Sequence, residues 1–141
     1  MNIEQDPSGF SKSFSVKYND DEFRFHKLEF EDRIIFNIQI NGIMDTTFDL
    51  PINSKQVINL QSGSITNDDD VVAGLEPVIL VGNHNNLKIQ IIATQLSKLF
   101  INYSSKPVIL SIASKWFGHD LDNSDFDKLM WVSSQVKQLL S

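Results

Sequence analysis

Between Phe14 and Leu50, apolar residues recur at every second position through four successive runs. A period of two places one face of each run against a core, so this region has to form β-strands. In the first run Phe14, Val16 and Tyr18 share a face. In "EFRFHKLEF", Phe23 and Phe25 keep one phase while Leu28 and Phe30 take the other. That slip at His26–Lys27 predicts a bulge or a strand covered on both faces. The third run, Arg33 to Ile40, carries Ile34, Phe36, Ile38 and Ile40; after Asn41-Gly42 come Met44, Thr46, Phe48 and Leu50. A two-residue Asn-Gly loop would set Ile38 against Asp45 and Phe36 against Thr47. A three-residue loop, Ile40-Asn41-Gly42 with Gly42 left-handed in a bulge, instead sets Ile38 against Met44 and Ile34 against Phe48. The phases favour the latter.

The pattern changes on either side of this region. Residues 1–12 are polar, contain Pro7 and Gly9, and read as a flexible tail. Residues 51–75, with Pro51, "SGSITNDDD" and Gly74, read as a long, acidic, mobile loop in which Val57, Ile58 and Leu60 form at most a short strand. Two near-repeats follow, "EPVILVG" at 76–82 and "KPVILSIAS" at 106–114. Both are continuously apolar, as buried central strands are. A helix is predicted between them, from about Asn86 to Tyr103, and another from about Ser124 to Leu140. Asn123 or Ser124 caps the second, with Asp125 and Asp127 in its first turn. The expected fold is α+β: a mostly antiparallel sheet of about six strands with two helices packed on it, two-layer or sandwiched, in a single domain spanning 13–141.

On the first helix Ile89, Ala93, Leu96, Phe100 and Tyr103 form a core stripe flanked by Ile92 and Leu99. Leu87 and Ile91 fall on the opposite side, with Ile101 nearby. On the second helix Phe126, Leu129, Met130, Ser133, Val136 and Leu140 are expected inside, which leaves Trp131, Val132 and Leu139 out of the stripe. Out-of-stripe apolar residues either pack under a loop or anchor a partner, and Trp is an enriched anchor. Trp131, Leu87, Ile91, Ile101 and Leu139 are therefore the candidate partner-binding residues.

No catalytic constellation is visible. The loop Gly82-Asn83-His84-Asn85-Asn86 has one glycine and no lysine, so it fits neither phosphate-binding pattern; its asparagines read as turn formers and a helix cap. His26, His84 and His119 lie in different elements, without the spacing of a metal site. "NDDD" at 67–70 and "HDLDNSD" at 119–125 lack the glycine and distant glutamate of a calcium loop. There is no cysteine, hence no disulfide and no thiolate chemistry. The expectation is no catalytic residue, no cofactor and no metal. A net charge of −6 argues against nucleic acid. No apolar run is long enough to cross a bilayer, and the polar start "MNIEQDPSGF" does not read as a signal peptide, so an intracellular protein without a membrane partner is expected.

The segments "SFSVKYNDDEFRFHKLEFEDRIIFNIQINGIMDTTFDLP" and "PVILVGNHNNLKIQIIATQLSKLFINYSSKPVILSIASK", with the closing helix, resemble the small proteasome assembly chaperones, types three and four, and sit nearer to type three. The resemblance covers about 13–50 and 77–140. It rests on element order, the run ending "TFDLP", and the core pattern "ILVG…LSKLF…KPVILSIA". The Asn- and Ile-rich composition suits a yeast homologue. The resemblance implies a non-enzymatic protein that pairs with a sister chaperone and binds an alpha-type proteasome subunit, alpha 5 being the candidate. It further implies ordered closure of the alpha ring, departure before maturation, and a cytoplasmic location with the nucleus as a second. The final residues Gln138-Leu139-Leu140-Ser141 lack the hydrophobic–Tyr–any residue tail of another proteasome chaperone group, so tail docking is not expected. A dimerising adaptor of the longin or roadblock type is the alternative; an enzyme with its site in a dimer crevice is a third.

Overall fold

The computed structural model describes residues 3–7, 9–50 and 77–140. Both the acidic segment 51–75 and the short strand expected around Val57 lie outside them. Seven strands form one sheet: β1 (Glu4–Gln5), β2 (Ser11–Tyr18), β3 (Asp21–Glu29), β4 (Ile34–Ile40), β5 (Thr46–Leu50), β6 (Val78–Val81) and β7 (Val108–Ile112). Helix α1 (Leu87–Tyr103) links β6 to β7, and α2 (Asp125–Leu140) follows β7. The sheet has one strand more than the six expected, because Glu4–Gln5 pair with Ser13 and Lys12. β2 also begins at Ser11, inside the segment read as tail.

The strand order is β1-β2-β3-β4-β7-β5-β6. All ladders are antiparallel except β4–β7. The register alternates cleanly. Phe14, Phe25, Ile38 and Ile112 lie in one row across β2, β3, β4 and β7, and Phe36, Leu110 and Phe48 in the next. These side chains are almost fully buried under the helices. Phe100 of α1 meets Phe36 edge-on at 5.1 Å, and Trp131 of α2 meets Phe23 at 4.7 Å. Both helices thus cover the same face.

Three sequence expectations are corrected. β3 pairs with β2 and β4 without a bulge. Lys27 itself occupies the inward phase after Phe23 and Phe25, and Leu28 turns to the other face. At Asn41-Gly42 the loop has two residues, not three: Ile40 and Ile43 exchange both backbone hydrogen bonds, at 3.1 and 3.0 Å. Asn41 (φ 53°) and Gly42 (φ 78°) are both left-handed, as a tight I′ turn requires. The mismatched phases that argued against this turn have no consequence, because β4 and β5 do not pair; β7 lies between them. Finally, β6 is an edge strand rather than a central one. Val78, Leu80 and Val81 are more than half exposed, and only Ile79 turns toward Phe48. Near-identical apolar runs cannot reveal which of them is central; the sheet order decides it.

The asparagine-rich loop after β6 turns the chain. Asn83 Oδ1 accepts from the Asn85 amide at 2.9 Å, and Asn86 caps α1 by accepting from the Ile89 amide at 3.2 Å. Gly82 adopts φ +127°, and a Cβ there would stand 3.0 Å from the Thr46 side chain. Gly82→Ala is expected to cost about 2 kcal/mol and lower the thermal midpoint by roughly 6 °C, measured by circular dichroism.

Candidate protein-interaction surfaces

One polar depression satisfies its own charged groups. It is an open depression of about 550 Å³ between the β1–β2 turn, the end of β3 and the ends of both helices, and Lys27, Glu29, Tyr103 and Lys106 line it. Buried Lys27 donates to the Tyr103 hydroxyl at 2.9 Å, and that hydroxyl donates to Glu29. Lys106 reaches the other Glu29 oxygen at 3.1 Å. Burial would raise the Glu29 pKa, but the hydrogen bonds from Tyr103 and Lys106 and the nearby lysine charges outweigh it and hold the carboxyl below its usual range. Burial, then the bond to Glu29 and its charge, pushes the Tyr103 hydroxyl up to about 12. Every member has a partner within the chain, so the cluster ties the end of α1 to β3 and leaves no group aimed at a ligand. Among the described residues no group of His, Cys, Asp or Glu could hold a metal ion.

The acidic run 119–125 has a local use. Ser124 opens α2, its carbonyl accepting from the Lys128 amide at 2.9 Å. Asp122 accepts from the Ser124 amide and Asp125 from the Asp122 amide, each at 2.8 Å. Those backbone bonds, with the Ser124 hydroxyl for Asp122 and Lys88 for Asp125, hold both carboxyls below the usual range.

The five predicted partner residues separate into three environments. Leu87 and Ile91 stand out of α1, 69% and 60% exposed. Ile101 and Leu139 are fully buried, which removes them as surface anchors. Trp131 is half-buried among Tyr18 at 4.6 Å, Phe23 at 4.7 Å and Trp116 at 6.4 Å. Helix α2 is rotated relative to the expectation. Val132, Val136 and Leu139 are inside, while Phe126 and Met130 are 70% and 52% exposed. Two overlapping stripes fit this helix. The polar Ser133 in the middle of the rejected one was the signal against it. The rotation also buries Gln135, whose side-chain oxygen has no hydrogen-bond partner. Replacing it by Leu is expected to stabilise the fold by about 1 kcal/mol, seen as a higher urea midpoint at unchanged slope.

The second surface is the sheet face away from the helices. Leu28, Ile35 and Ile109 are neighbours there across β3, β4 and β7. The next row runs Ser13, His26, Asn37, Ser111 and Thr47. Arg24, His26, Asn37 and Gln39 line a shallow depression of about 250 Å³. Burial, and then the Arg24 charge, lowers the His26 pKa, which favours a neutral ring. On this face the apolar row lies beside a polar one, and no described element covers it.

A family model of the 20S proteasome chaperone assembly proteins 3 and 4 matches residues 1–137. The chain belongs to that family. It is accordingly a proteasome assembly chaperone and not an enzyme, which sets aside the adaptor and crevice-enzyme alternatives. No curated protein matches the sequence. Among solved structures, a chain of a novel chaperone complex for yeast 20S proteasome assembly is similar, with 21% identity and a TM-score of 0.68 over 93% of this chain and 98% of that one. At this identity the likeness speaks for the fold.

Proposed function

We propose that this assembly chaperone is one half of a heterodimer, pairing with a sister chaperone of like fold through the sheet face away from the helices. The pair binds an alpha-type subunit, alpha 5 being the candidate, helps the alpha ring close in order, and leaves before the particle matures. It works in the cytoplasm and in the nucleus. The observation that carries this reading is the apolar row Leu28–Ile35–Ile109 on a sheet face that no described element covers, in a member of this family. Sheets pack face to face through such rows, and a second sheet laid on this one would complete a sandwich. The similar solved chain comes from a chaperone complex, which supports pairing.

Affinity purification of the tagged chain tests the reading. A sister chaperone and an alpha-type subunit are expected with it; recovery of neither would count against the whole proposal. Ile35→Lys with Ile109→Lys should release the sister chaperone while the far-ultraviolet spectrum stays unchanged.

A further inference from the structure

Five apolar side chains stand exposed at one corner of the helical layer: Leu87, Ile91, Leu121, Phe126 and Met130. Leu87 and Ile91 are one turn apart on α1, and Phe126 and Met130 one turn apart on α2. The Lys88 ammonium bonds Asp125 at 2.9 Å, which holds the first turns of the two helices side by side. The same ammonium donates to the Phe117 carbonyl at 2.8 Å, and Lys128 donates to the Trp116 carbonyl at 2.8 Å. Lys88 and Lys128 are therefore turned inward. Four aspartates, Asp120, Asp122, Asp125 and Asp127, lie within the eight residues that carry Leu121 and Phe126. The corner offers apolar anchors inside a negatively charged rim.

We propose that this corner docks the client alpha-type subunit, through a patch of that subunit in which Lys or Arg side chains surround apolar ones. Charge complementarity selects such a patch, because an acidic rim around exposed apolar groups attracts a basic surface and repels an acidic one. Position supports the assignment to the client. The corner belongs to the helical layer, and the sheet face assigned to the sister chaperone lies on the other side of the sheet, so one occupant does not displace the other. The inference rests on the chaperone reading and adds to it the surface and the chemistry of the client.

The experiment uses the purified heterodimer of full-length chains and recombinant alpha-type subunits, each titrated in turn at 50 and 300 mM salt. Ile91→Ser with Phe126→Ser removes two anchors that stand mostly in solvent. Asp120→Lys with Asp127→Lys reverses the rim and leaves the capping acids Asp122 and Asp125 in place. The serine pair is expected to weaken subunit binding at least tenfold, with the heterodimer and its melting temperature intact. The lysine pair is expected to weaken binding at low salt and flatten its salt dependence. Unchanged subunit affinity in both variants overturns the inference, as does loss of the sister chaperone in its place. A wild-type heterodimer that binds no alpha-type subunit overturns the underlying chaperone reading instead, a result distinct from either.

Discussion

Trp131→Ala is expected to lower folding stability by about 3–4 kcal/mol, the usual loss when a large aromatic side chain is removed from packed surroundings. The indole sits among Tyr18, Phe23, Phe25 and Trp116, with ring centroids 4.6 to 6.4 Å away. This cluster connects α2 to β2, β3 and the loop after β7. Trp116 is fixed in turn by its bond to Asp21 at 3.0 Å and by the Lys128 ammonium over its ring at 4.8 Å. Without Trp131 the helix loses its aromatic contacts with the β2–β3 end of the sheet. The thermal midpoint should fall by roughly 10 °C, while the affinity of the remaining folded molecules for a sister chaperone or alpha subunit stays at the wild-type value. A variant with wild-type melting and weakened partner binding would return Trp131 to the surface.

Glu29→Ala and Lys27→Met are expected to differ although they break the same ion pair. Removing Glu29 leaves the Lys27 ammonium buried with only the Tyr103 hydroxyl to satisfy it. The cost should be about 2 kcal/mol, below that of a fully buried pair because Glu29 is partly open to solvent. Lys27→Met removes the charge and keeps the volume in a position that continues the apolar row of Phe23 and Phe25, so its effect should stay within about 1 kcal/mol. Chemical denaturation of both variants beside the wild type measures the difference; equal losses would mean that the ammonium is hydrated and the network adds little.

Part of the pH dependence of the wild type comes from the same groups. The Glu29 carboxyl is depressed in the folded chain, so its contribution is present above its usual value of 4.5 and is lost as pH falls through the lower folded value. The Tyr103 hydroxyl is raised, so its contribution is complete below pH 10 and is lost as pH rises toward about 12. Glu29→Ala should flatten the acid limb of the stability curve.

The strands were legible where one face is plainly apolar. β2 and β4 follow from their alternation, β7 from its continuous apolar run, and the Asn86 cap of α1 from residue type alone. The errors arose where a local pattern had two solutions and only the packed molecule chooses. Lys27 occupies an inward position because Tyr103, at the far end of α1, and Glu29, two residues on in β3, receive its charge. β7 enters between β4 and β5, a long-range event that no hairpin rule contains. Helix α2 chooses the stripe with Val132 and Leu139 over the one with Phe126 and Met130 because Trp131 must reach the β2–β3 aromatics. That choice also decided which residues were available as partner anchors. Two of the five predicted anchors, Leu87 and Ile91, stand mostly in solvent.

The central claim is that the molecule acts by joining other polypeptides through its two faces. Native mass spectrometry of complexes isolated through this chain tests it most directly. The account predicts a one-to-one assembly with a different, similarly folded chain, and a heavier species that contains one alpha-type subunit as well. A spectrum holding only the lone 16.0 kDa chain, or only its homodimer with no proteasome subunit at any salt concentration, would contradict it.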